Sequence, residues 1–166
     1  MARFYRAEEE RGSRPAFIEK EFSFIFEGVK IAGRFDRVDM EDGKAVIMDF
    51  KTSEIKAQKD ADRRVKENKQ LLLYALAWRE ISRELPARLE LYFLESGLVG
   101  SRKVEEKDLA QIKEDIRAVS RGIRAKEFPA APDYNACRYC ACRQICQQAT
   151  LGGKHLTCLR LSDKIH

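Results

Sequence analysis

Residues 33–51 read GRFDRVDMEDGKAVIMDFK, two strand-like segments around an Asp-Gly turn signal. In the second segment the period-two alternation puts Asp49 and Lys51 on the same face. Asp36 lies late in the first segment, so a short hairpin is expected to bring its carboxylate beside that of Asp49. A strand that is apolar on both faces and ends in charges is the usual way in which an α/β sheet exposes a site beyond its packed core.

The sequence on either side of this stretch predicts the order strand-strand-strand-helix-strand-helix. Alternation from Phe17, interrupted at EGVK and MEDGK, predicts a three-stranded antiparallel meander that ends near Lys51. A nearly continuous apolar run from Leu71 to Trp78 predicts a helix packed on more than one side, and ARLELYFLESG predicts a fourth strand. The spacing in VEEKDLAQIKEDIRAVSRGIRAKEF predicts an amphipathic helix that ends before Pro129.

Two strongly charged segments stand out in the rest of the chain. Residues 1–16 are polar and charged, and we expect them to form an arm without a motif. Residues 56–69 contain six basic and three acidic side chains, and we expect a mobile loop that leads into the helix. The predicted organisation is a polar arm at 1–16, an α/β core at 17–132 and a Cys-rich tail at 133–166.

The overall composition allows a polyanionic partner and argues against a membrane span. The 166 residues include 32 Lys and Arg against 27 Asp and Glu, which gives a net charge of +5. Such an excess is compatible with nucleic-acid binding but does not prove it. No apolar run approaches the roughly 18 to 20 residues of a membrane span, and the N-terminus lacks the apolar region of a signal peptide. We therefore expect a soluble, cytoplasmic protein without a membrane partner.

The two carboxylates and the ammonium group together suit metal-assisted hydrolysis of a phosphodiester. Mg²⁺ and Mn²⁺ prefer oxygen ligands from carboxylates, carbonyls and water, and a bound metal lowers the pKa of an attacking water. Lys51 would orient or help to activate that water, or stabilise the developing negative charge. Taken alone, an Asp-X-Lys triplet is more often a surface ion pair that contributes less than about 1 kcal/mol.

Three motifs follow one another along the chain: GRFDRVD at 33–39, VIMDFKT at 46–52 and QLLLYALAW at 70–78. In this order they resemble the Gly-X-X-Asp, Asp-X-Lys and Gln-X-X-X-Tyr motifs of the PD-(D/E)XK nuclease superfamily, specifically its RecB-like branch. The resemblance covers about residues 17–146 and is closest to nuclease domains at the C-terminus of UvrD/Rep-type or AddAB-type helicases. It implies an α/β, restriction-endonuclease-like fold, with a mixed central sheet flanked by helices.

The resemblance also implies a metal site at the strand ends. Asp36, Asp49 and the main-chain carbonyl of Phe50 would be ligands of Mg²⁺ or Mn²⁺, and Lys51 would be the catalytic lysine. Glu19 falls where relatives often carry a glutamate, although strand alternation equally allows an exposed residue there.

The same resemblance directs attention to the following helix and to ligands that the chain lacks. Gln70 and Tyr74 are four residues apart, so they share one helix face and would approach the nucleic acid or the metal site. RecB-like relatives generally supply a histidine ligand and a first cluster cysteine upstream of these strands. This chain has only His155 and His166, and its first cysteine is Cys137. We expect those parts to belong to a larger parent protein.

The cysteines are confined to the tail, where a metal or cluster site is a better expectation than a disulfide framework. The spacing C-x2-C-x5-C suits thiolate ligands of either a cluster or zinc, and it does not discriminate between them. The resemblance implies that these three residues hold a [4Fe-4S] cluster in the intact parent: Cys137, Cys140 and Cys146. Zinc would be completed within this chain by Cys142, His155 or Cys158, and free thiols are a further alternative.

Taken together, the resemblance implies a Mg²⁺- or Mn²⁺-dependent deoxyribonuclease. It would act on single strands or ends delivered by a helicase motor, in DNA repair or recombination. A rival from another class is a catalytically inactive nuclease fold that only binds DNA for a helicase. A second rival is a zinc-dependent regulatory domain whose function lies in the Cys-rich tail.

Overall fold

The structure is a computed structural model that describes residues 2–12, 14–151 and 154–155. Its helices are α1 Ala2–Arg11, α2 Gln58–Glu67, α3 Lys69–Ser82, α4 Glu106–Arg124 and α5 Tyr134–Tyr139. Its strands are β1 Pro15–Phe26, β2 Val29–Glu41, β3 Lys44–Lys51, β4 Arg88–Phe93, β5 Leu98–Arg102, β6 Thr150–Leu151 and β7 Lys154–His155. The chain divides into two compact units, residues 1–120 and 121–166.

The first unit contains a mixed five-stranded sheet in the order β1-β2-β3-β4-β5. The strands β1, β2 and β3 form the predicted antiparallel meander, and the turn between β2 and β3 is made by Asp42 and Gly43, both with positive φ. The pair β3 and β4 is parallel, with α2 and α3 lying between them in the chain. These features confirm the predicted α/β fold with helices flanking a mixed sheet.

The helix α3 packs on one face of this sheet and closes the main core. Its apolar run buries Leu71, Ala75 and Leu76 completely, against the inward side chains of β3 such as Ile47. Asn68 caps the start of the helix, since its side chain accepts a hydrogen bond of 2.8 Å from the Leu71 amide. The predicted amphipathic helix is α4, whose Leu109 and Ile112 are buried.

Residues 2–11 form the helix α1, where the sequence suggested only a polar arm. The Phe4 ring packs edge-on against Phe50 and Tyr92 on the opposite face of the sheet. Glu8 forms an ion pair with Arg37, and the Arg11 guanidinium lies 3.4 Å from Glu90. The helix was not predicted because its sheet-facing contacts are largely charged pairs rather than an apolar stripe.

The prediction of a mobile loop over residues 56–69 was also wrong, because most of this segment forms the helix α2, Gln58–Glu67. Only Ala61 and Val65, one turn apart, are buried, so the apolar stripe is too narrow to stand out from the charged residues. The helix packs on β5, a strand that the sequence pattern did not predict. The fit is close, since a Cβ at Gly100 would lie 2.3 Å from the Ala61 carbonyl oxygen.

The second unit holds the part of the Cys-rich tail that the structure describes. The short helix α5 is capped by Asp133, whose carboxylate accepts hydrogen bonds from the amides of Asn135 and Ala136. Of the tail residues singled out above, Cys158 and His166 lie outside the described residues. Within the described ranges, none of the helices is long and apolar enough to cross a membrane.

Candidate active site

The β2–β3 hairpin brings the two predicted carboxylates together. Arg37 pairs with Met48 across the hairpin, so Asp36 and Asp49 lie immediately next to this pair on their own strands. The Phe50 amide donates a hydrogen bond of 3.0 Å to Asp36 Oδ2. This contact between a side chain and the neighbouring strand fixes the Asp36 carboxylate beside the end of β3.

The alternation of buried side chains is interrupted in β2 beside Asp36. Phe35 and Val38 both belong to the buried core although they are three residues apart, so strict alternation breaks between them. Opposite the break, Glu19 of β1 has a φ of +51°. Irregularities of this kind are common beside active sites, where they re-aim a side chain.

Lys51 connects the strand end to the helix α3. Its Nζ lies 2.7 Å from Asp49 Oδ2 and donates a hydrogen bond of 3.1 Å to Gln70 Oε1. The Gln70 Nε2 in turn donates a hydrogen bond of 2.8 Å to the Tyr74 hydroxyl. The structure thus brings four of the residues singled out from the sequence into one continuous chain of contacts, which we call the Lys51 relay: Asp49, Lys51, Gln70 and Tyr74.

Burial changes the electrostatics of this relay. The Asp49 side chain is almost completely buried, and burial raises the pKa of its carboxyl group, helped by the nearby Asp36 carboxylate and opposed by Lys51. The close partner of Asp49 Oδ2 is the Lys51 ammonium at 2.7 Å. Burial likewise raises the pKa of the Tyr74 phenol, which therefore stays protonated at neutral pH. Lys51 is 31% exposed, so the relay is open to solvent at its ammonium group.

Glu19 has a different environment. It forms an ion pair of 2.7 Å with Arg34, and both side chains are more than half exposed. The structure therefore places Glu19 in an exposed ion pair, and its assignment as a metal ligand stays a prediction.

The comparison with known families decides the membership of the chain. The sequence profile of the PD-(D/E)XK nuclease superfamily matches residues 1–147. The chain belongs to the PD-(D/E)XK nuclease superfamily. This result confirms the superfamily predicted from the three motifs, and the profile extends further toward the N-terminus than the motifs do, over α1.

Solved structures support the fold of this superfamily member. One similar structure, described as "Crystal structure of SSO0001", has a TM-score of 0.50 and 18% sequence identity. The match covers 87% of this chain and 66% of that chain, so this chain spans just under two thirds of the length of its structural relative. A comparison with curated proteins finds no match.

Nucleases of this superfamily typically use Mg²⁺ or Mn²⁺, and the chemistry of the strand-end donors suits such an ion. Asp36, Asp49 and the Phe50 carbonyl offer oxygen donors, and Mg²⁺ usually takes only one or two protein carboxylates, with water completing its shell. The buried Asp49 carboxylate lies at the strand end, where its Oδ2 faces the Lys51 ammonium at 2.7 Å. Among the described residues, however, no three His, Cys, Asp or Glu side chains gather as a metal site. Among the described residues the candidate donors are therefore the two carboxylates and the Phe50 carbonyl, without a histidine beside them.

The four tail cysteines that the structure describes differ in their burial. Cys137 is buried, Cys146 is partly buried, and Cys140 and Cys142 are exposed. The part of the chain that the structure describes gathers no three His, Cys, Asp or Glu side chains as ligands. Cys158 and the His155 side chain lie outside what the structure describes, so the cluster and the zinc ion both stay predictions.

Arg64 is a residue near the site that the sequence did not single out. Its guanidinium donates a hydrogen bond of 3.0 Å to Ser53, two residues after Lys51, and also lies over the Phe93 ring. The sequence signal for this contact is the spacing of Ala61 and Val65, which indicates a helix. When this segment is a helix, its basic residues lie beside the end of β3.

Proposed function

We propose that this chain is a RecB-like nuclease domain that hydrolyses phosphodiester bonds of DNA with the help of Mg²⁺ or Mn²⁺. The observation that carries the proposal is the Lys51 relay beside Asp36. Two carboxylates, an ammonium group and a glutamine from a separate helix converge at one strand end. A surface ion pair would not require the buried Asp49 carboxylate, whose desolvation costs stability.

In this proposal Asp36, Asp49 and the Phe50 carbonyl hold the divalent ion. A bound ion of this type would supply an activated water and neutralise charge on the phosphoryl group. The Lys51 ammonium orients the attacking water or stabilises the negative charge that develops on the phosphate. Gln70 holds the ammonium group toward solvent by accepting its hydrogen bond. Tyr74, neutral because burial raises its pKa, fixes the amide of Gln70.

The substrate would be held by the basic residues of 56–69, with further Arg and Lys residues near the tail. This segment starts directly after the catalytic strand, and Arg64 contacts Ser53 at that point. Arg63 and Lys69 are engaged in exposed ion pairs with Asp60 and Asp115, which a phosphate can replace. Binding of this kind releases counterions and weakens as salt rises.

The finer assignments rest on the motif resemblance. We propose a domain that acts on single strands or ends, attached to or in complex with a helicase motor, in DNA repair or recombination in the cytoplasm. We place the limits of its nuclease core at 17–132 and of its Cys-rich tail at 133–166. A [4Fe-4S] cluster is proposed only for an intact parent that supplies a fourth cysteine, with zinc as the alternative. The finding that this chain covers 66% of a similar structure is consistent with additional parts in its relatives.

A second candidate function is a nuclease fold that binds DNA without cleaving it. One observation favours it, since only two carboxylates and no histidine gather at the strand end among the described residues. The two candidates differ in what they require of Lys51, because a binding module has no need of an ammonium group held at a buried carboxylate.

Lys51→Ala separates these candidates when it is compared with Lys44→Ala, which removes an exposed lysine from the start of the same strand. Loss of a group that stabilises charge in the transition state should lower the rate of cleavage by roughly 10²- to 10³-fold. Cleavage of labelled single-stranded DNA in Mn²⁺ and binding of the same DNA are both measured. The nuclease proposal expects Lys51→Ala to bind but not cleave, and Lys44→Ala to do both. Binding without cleavage by the parent, or equal cleavage by both variants, would favour the binding module.

A further inference from the structure

Gly33, the first residue of the Gly-X-X-Asp motif, lies against an aromatic ring. It pairs with Phe22 across the β1–β2 ladder, and a Cβ at Gly33 would lie 2.6 Å from the tip of the Phe22 ring. Real Cβ atoms essentially never approach so closely, so any larger residue must displace the ring. The backbone does not require glycine here, because Gly33 is not among the residues with positive φ. The reason for glycine at this position is therefore space for Phe22.

The Phe22 ring packs against two rings that connect it to the site. It packs 4.6 Å from the Phe35 ring and edge-on at 5.9 Å from the Tyr74 ring, and Phe35 itself lies 5.4 Å from Tyr74. All three side chains are at least 94% buried. In a close-packed core a shift of one ring is transmitted to the rings in contact with it. The position of Tyr74 on α3 is thus set jointly by Phe22 and Phe35.

Tyr74 is in turn the end of the Lys51 relay. Its hydroxyl accepts the hydrogen bond from Gln70 Nε2, which fixes the orientation of the amide and therefore of the Oε1 atom that binds Lys51. A primary amide with its Nε2 held in this way has only one oxygen, which must then face the ammonium group. Displacing the Tyr74 ring would release this orientation.

We propose that Gly33 is a positioning residue for Lys51, acting through Phe22, Tyr74 and Gln70. Glycine leaves room for the Phe22 ring, the ring holds Tyr74, and Tyr74 orients the amide that aims the ammonium group. This inference rests on the proposed function only in taking Lys51 as the catalytic lysine; the geometric coupling from Gly33 to Gln70 is independent of it.

A double-mutant cycle tests the coupling with Gly33→Ala, Phe22→Leu and the double variant. We expect Gly33→Ala alone to lower kcat by roughly ten- to a hundred-fold with little change in KM, because a misplaced group near the chemistry costs this much. With the shorter side chain of Phe22→Leu present, adding Gly33→Ala should change kcat by no more than about two-fold, since the clash is gone. Leu109→Ala, which opens a cavity under α4, is the matched control: it lowers stability but leaves kcat per folded molecule unchanged.

A second measurement does not depend on catalysis. NMR of protein labelled with ¹⁵N-glutamine detects the side-chain amide of Gln70, and the signal is assigned by its loss in Gln70→Glu. We expect its chemical shift to move in Gly33→Ala, to be unaffected in Leu109→Ala, and to be the same in Phe22→Leu with and without Gly33→Ala. If Gly33→Ala does not fold, the comparison of Phe22→Leu with the parent decides the question, because loss of the ring that packs on Tyr74 should move the Gln70 amide signal. An unmoved amide, or equal kcat losses from Gly33→Ala in both backgrounds, would overturn the inference. A responsive amide in a protein that cleaves nothing would instead overturn the proposed function and leave the coupling intact.

Discussion

At the scale of single residues, the buried carboxylate of Asp49 lowers the stability of the fold, although the proposed function requires it. Its carboxylate is 2% exposed, and the charge that faces it most closely is the Lys51 ammonium at 2.7 Å. The neighbouring Asp36 adds repulsion, so the pKa of Asp49 is raised and its ionised form is unfavourable in the folded protein. A purely structural strand would carry an apolar side chain at this position, because every other buried position of β3 is apolar.

Asp49→Asn is therefore expected to stabilise the protein by on the order of 1 kcal/mol at neutral pH. Because the pKa of Asp49 is higher in the folded than in the unfolded chain, the folded state holds more protons just above the ordinary pKa of 3.8, and stability falls as pH rises through the folded-state value. The amide variant lacks this contribution. Urea unfolding in EDTA from pH 4 to 8 measures both effects. Lower stability of Asp49→Asn at every pH, with the parent's pH dependence unchanged, would contradict this account.

At the scale of the elements, the helix α1 supports the back of the site. Phe4 contacts Phe50 and Tyr92, and Phe50 lies between Asp49 and Lys51 in the chain. Ion pairs from Glu8 and Arg11 hold the same helix on the sheet. The helix thus covers the face of β3 opposite to the face that carries the two charged residues.

Phe4→Ala should destabilise the protein by about 2 kcal/mol, because it removes ring contacts between α1 and the sheet. Tyr5→Ala is the matched control, since its side chain is on the same helix and is 66% exposed. Thermal unfolding of both variants beside the parent compares the two losses. Equal changes in Tm for Phe4→Ala and Tyr5→Ala would mean that α1 does not pack on the sheet as described.

The predicted and the unpredicted elements differ in how clearly the sequence pattern shows which of their side chains are buried. The strands β1, β2 and β3 alternate clearly, and the α3 run of apolar residues is long, so both were predictable. In α2 only two side chains reach the core, and in α1 charged pairs replace an apolar stripe. The strand β5 has five residues, including the glycine that accommodates α2, and its sequence LVGSR does not alternate between apolar and polar residues.

At the scale of the whole molecule, the site depends on how α3 docks on the sheet. The sequence identified Asp36, Asp49 and Lys51 by their motifs, and the hairpin made the pairing of the two aspartates predictable. The contact of Lys51 with Gln70 was not predictable, because it joins residues 19 positions apart through the packing of a helix on a strand end. Nor does a motif indicate that Gly33 is needed for space, which follows only from the Phe22 ring across the ladder.

The central claim is that Asp36 and Asp49 form one divalent-ion centre that drives DNA cleavage. The measurement that tests it most directly is the rate of cleavage of end-labelled single-stranded DNA as the Mn²⁺ concentration is raised, for the parent and for Asp36→Asn. The account predicts a rate that saturates with Mn²⁺ in the parent, is abolished by EDTA, and is lowered at least about a hundred-fold in Asp36→Asn. Cleavage that persists in EDTA, or an Asp36→Asn variant as fast as the parent at every Mn²⁺ concentration, would contradict it.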